Sequence, residues 1–432
     1  SVAFIAPSSA LENPTLDDAL FVTADDEGDL YVTERCDVIA GGGGPGGTGG
    51  TVQAVTPGLA IEAADAGSVA GNARGAHSTD LQTIRALATQ VASGAQSGIL
   101  SGQDNRADSI AAVVAGGRKN YAGPGAYAGI LAGQDNEVSA AHGGILAGFN
   151  NTVNGARGGV IAGDTNTAGI DAIAGAGKGN VASGMRSFVG SGNYNTASAL
   201  AAAIVAGKNN NATADSAFVG AGTNNDVYEI KSGVICGDSN RVLAMAAGAL
   251  IGTGFSNTIF AGGDYSFIGG GMSHGISSTM SGIVSGNTNS IAAGRKYGFI
   301  GSGRSNFMSG SYGGYQTIVN GYNNFTDRNM SAVLSGRGCG ATGYYSTVLN
   351  GLFSSAYGSY TLAVGRYASA GGFQSMQFGT GANSYAYTVK IGSAGLRFFM
   401  LPGGPGFPVN GDMWVGFGGT VYIQSAGFSV PI

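Results

Sequence analysis

Charge is scarce in this chain. Only 10 % of its 432 residues are Asp, Glu, Lys or Arg, against about 25 % in an ordinary globular domain. Proline is also rare, at 9 residues, which excludes a collagen-like repeat and a Pro/Gly low-complexity tract. The three cysteines, Cys36, Cys236 and Cys339, are odd in number and far apart. They predict reduced thiols rather than a disulfide framework, and no Cys/His cluster has zinc spacing. No apolar run approaches the ~18–20 residues that span a membrane, so no membrane insertion is expected. Ser1-Val2-Ala3-Phe4 is not a basic region leading into an apolar stretch, so no leader of that kind is expected. A net charge of −5 gives no footprint for a nucleic-acid partner. No cofactor is expected either.

What the chain has in excess is glycine, 81 residues, against a usual ~7 %. With 43 % hydrophobic residues the chain is not a disordered one. A sequence that buries much of its length yet carries little charge fits a repeat solenoid that assembles with copies of itself.

The repeat is explicit. Gly129-Ile130-Leu131-Ala132-Gly133-Gln134-Asp135-Asn136 returns as Gly144-Ile145-Leu146-Ala147-Gly148-Phe149-Asn150-Asn151. Eighteen such units can be anchored on a reference glycine, from Gly102 and Gly116 through Gly133, Gly148 and Gly163 to Gly351 and Gly365, most often 15 residues apart. Three positions before it stands Ile, Val or Leu in seventeen of the eighteen units, as at Ile130, Ile145 and Val160. The residue just before it is usually small. Three positions after it stands Asn in thirteen units, as at Asn136, Asn151 and Asn166. Another small or apolar residue follows two later, as at Val138 and Val153.

Alternation in a strand puts positions minus three and minus one on one face, a large and a small residue suited to a narrow interior. The glycine permits a positive φ or close backbone approach. Asn tolerates a left-handed turn, and stacked in register it can form side-chain amide ladders. A ~15-residue unit cannot fold alone and buries its face on the next. The reading is all-β: a parallel β-solenoid of about eighteen coils over 95–370, roughly 85 Å long at ~4.8 Å per coil. Helical repeats need ~33–47 residues, and calcium-binding β-rolls need Asp where this chain has Asn.

Around the solenoid, residues 1–40 carry nine acids and one base and read as an attachment region. Within it, 20–23 and 30–33 suggest two strands about an acidic turn. Residues 41–50 read as a Gly-rich linker. Residues 51–94 read as an extended lead-in, with 78–92 either a short helix or an irregular first coil. Residues 371–432 lose the period, show alternating strands such as 396–401 and 420–424, and read as a β cap that protects an exposed solenoid end.

The unit resembles the head repeats of YadA-like trimeric adhesins, which form a left-handed parallel β-roll, and similar repeats in bacteriophage tail fibres. Asp80-Leu81-Gln82-Thr83-Ile84-Arg85, Gly50-Thr51-Val52-Gln53-Ala54-Val55 and the ending Leu401-Pro402-Gly403 with Pro408-Val409-Asn410-Gly411-Asp412-Met413-Trp414-Val415 also resemble phage fibres, in that order along the chain. The resemblance implies a non-enzymatic homotrimeric fibre, assembled in the bacterial host cytoplasm and located on the virion. Its N-terminus would hold a tail or capsid protein, and its distal part would bind a host-surface receptor, a polysaccharide. Glycan-degrading spike, capsid-mounted fibre and bacterial adhesin are the alternatives. No heptads and no amphipathic anchor follow Gly365, which disfavours the last.

Candidate chemistry is thin. Gly271-Met272-Ser273-His274-Gly275 matches the hydrolase pattern G-x-S-x-G but falls on the repeat's own turn, with His274 in the Asn slot. Asp264 and Asp327 are the only acids between residues 241 and 400, too far apart at four coils for the ~5–9.5 Å that glycan cleavage needs within one chain. His77, His142 and His274 are isolated, and no metal site is expected. Aromatics are more telling. Thirteen of 18 Tyr and fourteen of 19 Phe lie after residue 250. Tyr312, Tyr315, Tyr322, Phe325, Tyr344, Tyr345, Tyr357, Tyr360 and Tyr367, with Trp414, form the candidate receptor-binding set. The competing reading is that these rings fill a widened interior or a trimer interface. Residues 241–432 also hold nine bases and three acids, a balance that suits either an anionic partner or a surface of simply solvated charges.

Overall fold

The computed structural model describes residues 71–391 except 83, 295 and 310–313, together with the backbone of eight short strands outside that span. The fold is an all-β parallel β-solenoid of about 20 turns, with no helix among the described residues. The chain divides into two compact units, Ser1–Asn224 and Asn225–Ile432.

Each coil contributes two short strands, and strands of successive coils pair in parallel to make two ladders. Ladder one holds Gly129–Ile130, Gly144–Ile145 and Gly159–Val160, with Ile130 opposite Ile145 and Ile145 opposite Val160. Ladder two holds Glu137–Val138, Thr152–Val153 and Thr167–Ala168. The second residue of each strand points inward: Ile130, Ile145 and Val160 are 2 % exposed, and Val138, Val153 and Ala168 are fully buried. In the first unit ladder two fills its interior mainly with alanine, as at Ala107, Ala122, Ala182, Ala197 and Ala212. In the second unit the interior widens through Ile259, Ile276, Ile291 and Met308 and narrows again at Ala341 and Ala356. Each inward Ile or Val is worth about 1.5–3 kcal/mol of burial.

The expected anchors hold with three corrections. In the second coil the glycine at φ 95° is Gly117, not Gly116, which brings Asn120 into the Asn slot. In the last anchored coil Ala363, not Leu362, lies opposite Val348, because the register shifts between Val348 and Gly351. The small inward residue beside the aliphatic one stands at minus five, as at Ala128, Gly143 and Ala172, whereas Ala132 and Ala147 at minus one are only half-buried. The chain already bends there, so that side chain leaves the strand face.

Within each unit the Asn column is a buried polar ladder. Asn151 donates its backbone N–H to Asn136 Oδ1 at 3.0 Å and its Nδ2 to the Gly163 carbonyl at 3.0 Å. Asn166 donates in turn to Asn151 Oδ1 at 2.9 Å. The buried amides of these coils are thereby paired. The left-handed turn residue is the preceding one, Asn150 at φ 54°, while Asn151 is fully buried. The reference glycine is needed twice over. Gly148 has φ 118°, and a Cβ there would lie 2.3 Å from the Gly163 carbonyl oxygen.

Residues 78–92 form an irregular coil, not a helix. Thr79–Asp80 pairs in parallel with Gly98–Ile99, and the antiparallel hairpin of Val52–Val55 and Gly58–Glu62 joins the same ladder at Thr79. Parallel pairing likewise continues past residue 370, where Met376–Phe378 pairs with Val389–Ile391. Phe21–Ala24 and Leu30–Val32 pair antiparallel, and Val2–Phe4 adds a third strand. Met413–Val415, Val421–Ser425 and Phe428–Pro431 form an antiparallel sheet. The linker 41–50 and the strand expected at 396–401 lie outside the described residues.

Candidate functional site

Two outward surfaces stand out. The first is the outer face of ladder one. Alternation places the residues on either side of each inward aliphatic outside. In the first unit these include Leu131, Leu146 and Ile161, which are 58, 51 and 50 % exposed. In the second unit Leu250, Phe267, Phe299 and Leu334 are exposed in the same way. A solvated sheet face is ordinarily polar, and strands apolar on both faces belong to sheets covered on both sides. The signal was present in the repeated triplet Gly-Ile-Leu at 129–131 and 144–146. The reading that fixed on position minus three missed it.

The second surface carries the distal aromatics, and none of the described candidates fills the interior. Tyr315, Tyr322, Tyr344, Tyr345, Tyr357, Tyr360 and Tyr367 are 41–56 % exposed, and Phe325 is half-buried. Tyr312 and the side chain of Trp414 lie outside the described residues. The candidates are spread over several sides of the coils rather than gathered in one patch. Tyr315, Tyr345 and Tyr360 occupy the corner before ladder one, at φ 58, 55 and 60°. There Tyr297 stacks on Tyr315 with ring centroids 4.8 Å apart, and Tyr345 stacks on Tyr360 at 4.7 Å. Tyr367 stacks on Phe353 at the other corner, at 6.0 Å. Phe325 opens a ladder-two strand and stacks on Phe307 at 5.9 Å. Tyr357 lies over Gly371, where an added Cβ would come within 2.1 Å of the ring.

Arginines accompany these rings. Arg304 and Arg337 occupy the coils on either side of Tyr322, with guanidinium carbons 5.8 and 5.6 Å from its centroid. Arg328 sits 5.6 Å from the Tyr344 ring and Arg366 4.8 Å from Tyr367. Stacking on neighbours covers many of the ring faces and leaves edges, phenolic hydroxyls and guanidinium donors at the surface. The result is a cationic, hydrogen-bonding surface.

The remaining candidates are tied into the repeat. Ser273 is the left-handed turn residue at φ 57°. His274 is 2 % exposed and stands in for Asn: it donates its N–H to Asn257 Oδ1, and its Nδ1 accepts the Asn289 N–H at 3.1 Å. Its Nε2 is buried without a hydrogen-bond partner. Burial holds the imidazole pKa below its usual value. Asp264 accepts the Ala247 N–H at 2.8 Å. Asp327 accepts from Ser309 at 3.3 Å and pairs with Arg328 at 3.6 Å. His142 is exposed and stacks on Tyr127 at 4.9 Å, and His77 is an exposed corner residue.

Sequence reasoning marked 80–85 only as resembling the start of fibre repeats. The structure gives that run a physical role. Asp80 and Arg85 are both fully buried and pair at 3.4 Å, with Arg74 Nε 3.1 Å from the same carboxylate oxygen. Burial pushes the Asp80 carboxyl pKa up, against the opposing pull of Arg74. Gln82 begins the amide ladder, since its Oε1 accepts the Asn105 N–H at 2.9 Å. Thus a polar plug fills the interior of the first described coil. No protein-family model matches the chain, and no curated protein sequence matches it.

Proposed function

We propose that this chain is the subunit of a non-enzymatic, homotrimeric fibre of the phage tail-fibre kind. It binds a host bacterial surface polysaccharide through its distal part and the virion through its acidic N-terminal region. The outward apolar face of ladder one carries the reading. An aliphatic row repeated coil after coil on the outside of a solenoid is stable only when covered, and a second copy of the same chain supplies an equally long cover. The receptor part rests on the arginine–tyrosine contacts of 304–367, whose donors suit an anionic glycan, and avidity among fibres strengthens weak single contacts.

The test uses the full chain, labelled, on bacteria with an intact anionic surface polysaccharide and on the same cells stripped of it, with released oligosaccharide measured in the same tubes. The expected result is binding to intact cells only, no release, and at least tenfold weaker binding by the Arg304→Ala/Arg337→Ala variant. Equal binding to both cell preparations contradicts the receptor assignment, and sugar release contradicts the passive one.

A further inference from the structure

Glycine is unfavourable inside a strand, where it adds chain entropy and offers no side chain to pack. Three consecutive coils of ladder one nevertheless open with it: Gly129, Gly144 and Gly159. Their own chain does not require it. None has a positive φ. A Cβ at Gly129 would meet nothing within 4 Å, and at Gly144 and Gly159 only a carbonyl oxygen at 4.0 Å. These glycines instead floor an open apolar groove of about 520 Å³ on the outer face, walled by Leu131, Leu146 and Ile161. Glycine in a strand with nothing of its own chain above it marks a place where another backbone or side chain approaches closely.

We propose that the groove receives the Leu131–Leu146–Ile161 row of a second copy, coil against the same coil. This rests on the homotrimeric reading above and adds its register. There are three notches in consecutive coils and three knobs in the same three coils, so their pitch is identical. No charged side chain lines the groove. The groove ends at Val113 and Ile173, and in those coils the wall positions shrink to Ala115 and Gly175. A slip of one coil would drive a Leu or Ile onto Val113 or Ile173, so only the unshifted register seats all three knobs. In the homotrimer proposed above, the row of each copy enters the groove of the next, a heterologous contact that closes into a three-fold ring.

The experiment uses the full chain with Cys36→Ser, Cys236→Ser and Cys339→Asn, to which one of two cysteine pairs is added. Gly144→Cys/Leu146→Cys places both partners at one level, and Gly144→Cys/Ile161→Cys offsets them by one coil. After mild oxidation, the level pair is expected to run as a covalent trimer on denaturing gels and the offset pair as monomer. Gly144→Leu is expected to lower trimer stability at least tenfold in dissociation constant, and Gly144→Leu/Leu146→Gly to restore it, since knob and notch then exchange places in every copy. A trimer that cross-links through the offset pair, or through neither, overturns the register and leaves the fibre standing. A monomeric parent chain overturns the fibre and this register together.

Discussion

At the residue scale, two positions test the buried ladder. His274 keeps the ladder intact only while Nδ1 is unprotonated, because it must accept the Asn289 N–H. Burial lowers its folded pKa, so the unfolded chain takes up the proton first. The sign follows from linkage: His274 contributes fully above the unfolded value of about 6.5, and that contribution is lost as pH falls toward the lower folded value. The unfolding temperature should therefore drop on acidification below about pH 6.5, and His274→Asn should flatten that segment and raise stability at neutral pH. An unchanged pH profile in the variant contradicts the assignment. Gly148→Ala probes the turn. It places a Cβ 2.3 Å from a carbonyl oxygen at φ 118°, and strain of that kind costs about 1–3 kcal/mol. Denaturant unfolding should show a loss of at least that size.

Much at this scale was legible in the sequence. The aliphatic at minus three and the Asn at plus three identify themselves by recurrence, since a solenoid repeats each residue's environment in every coil. Which Asn atom bonds where follows from burial, which leaves no water to satisfy the amide. The outer apolar position was not legible in the same way. It alternates between two sites: Leu131 and Leu146 stand at minus two, whereas in other coils the bulk moves to minus four, as Phe188 and Phe267, opposite Gly190 and Gly269. Neither column is uniform, although nearly every coil presents apolar bulk outside.

At the scale of elements, the polar plug and the aromatic corners differ in how they could be foreseen. The plug depends on Asp80, Arg74 and Arg85 meeting through an irregular coil, a geometry that no period encodes. Its energetic weight is large, because removing one member of a buried ion pair costs about 3–5 kcal/mol. Arg85→Met should accordingly make residues 71–107 the first target of limited proteolysis while the later coils stay protected. Cleavage kinetics identical to the parent would show the plug to be energetically idle. The aromatic enrichment was legible, but not its side. The 15-residue unit has two corners and two outer strand faces, and Tyr315, Tyr322 and Phe325 fall on three different ones. The interior did widen in the second unit, but through Ile259, Ile276, Ile291 and Met308, not through the rings.

At the scale of the whole molecule, an apolar outer face and a low charge content have one common explanation. A chain whose ladder-one face is covered by copies of itself has little surface left that needs charge. In the proposed trimer that cover, rather than the interior, accounts for Leu, Ile and Phe standing outside coil after coil. The most direct measurement is the mass of the full chain in dilute solution by light scattering or sedimentation. The expected result is a single species of three times 42.6 kDa that persists on dilution to nanomolar concentration. A stable, folded species of 42.6 kDa would contradict the account.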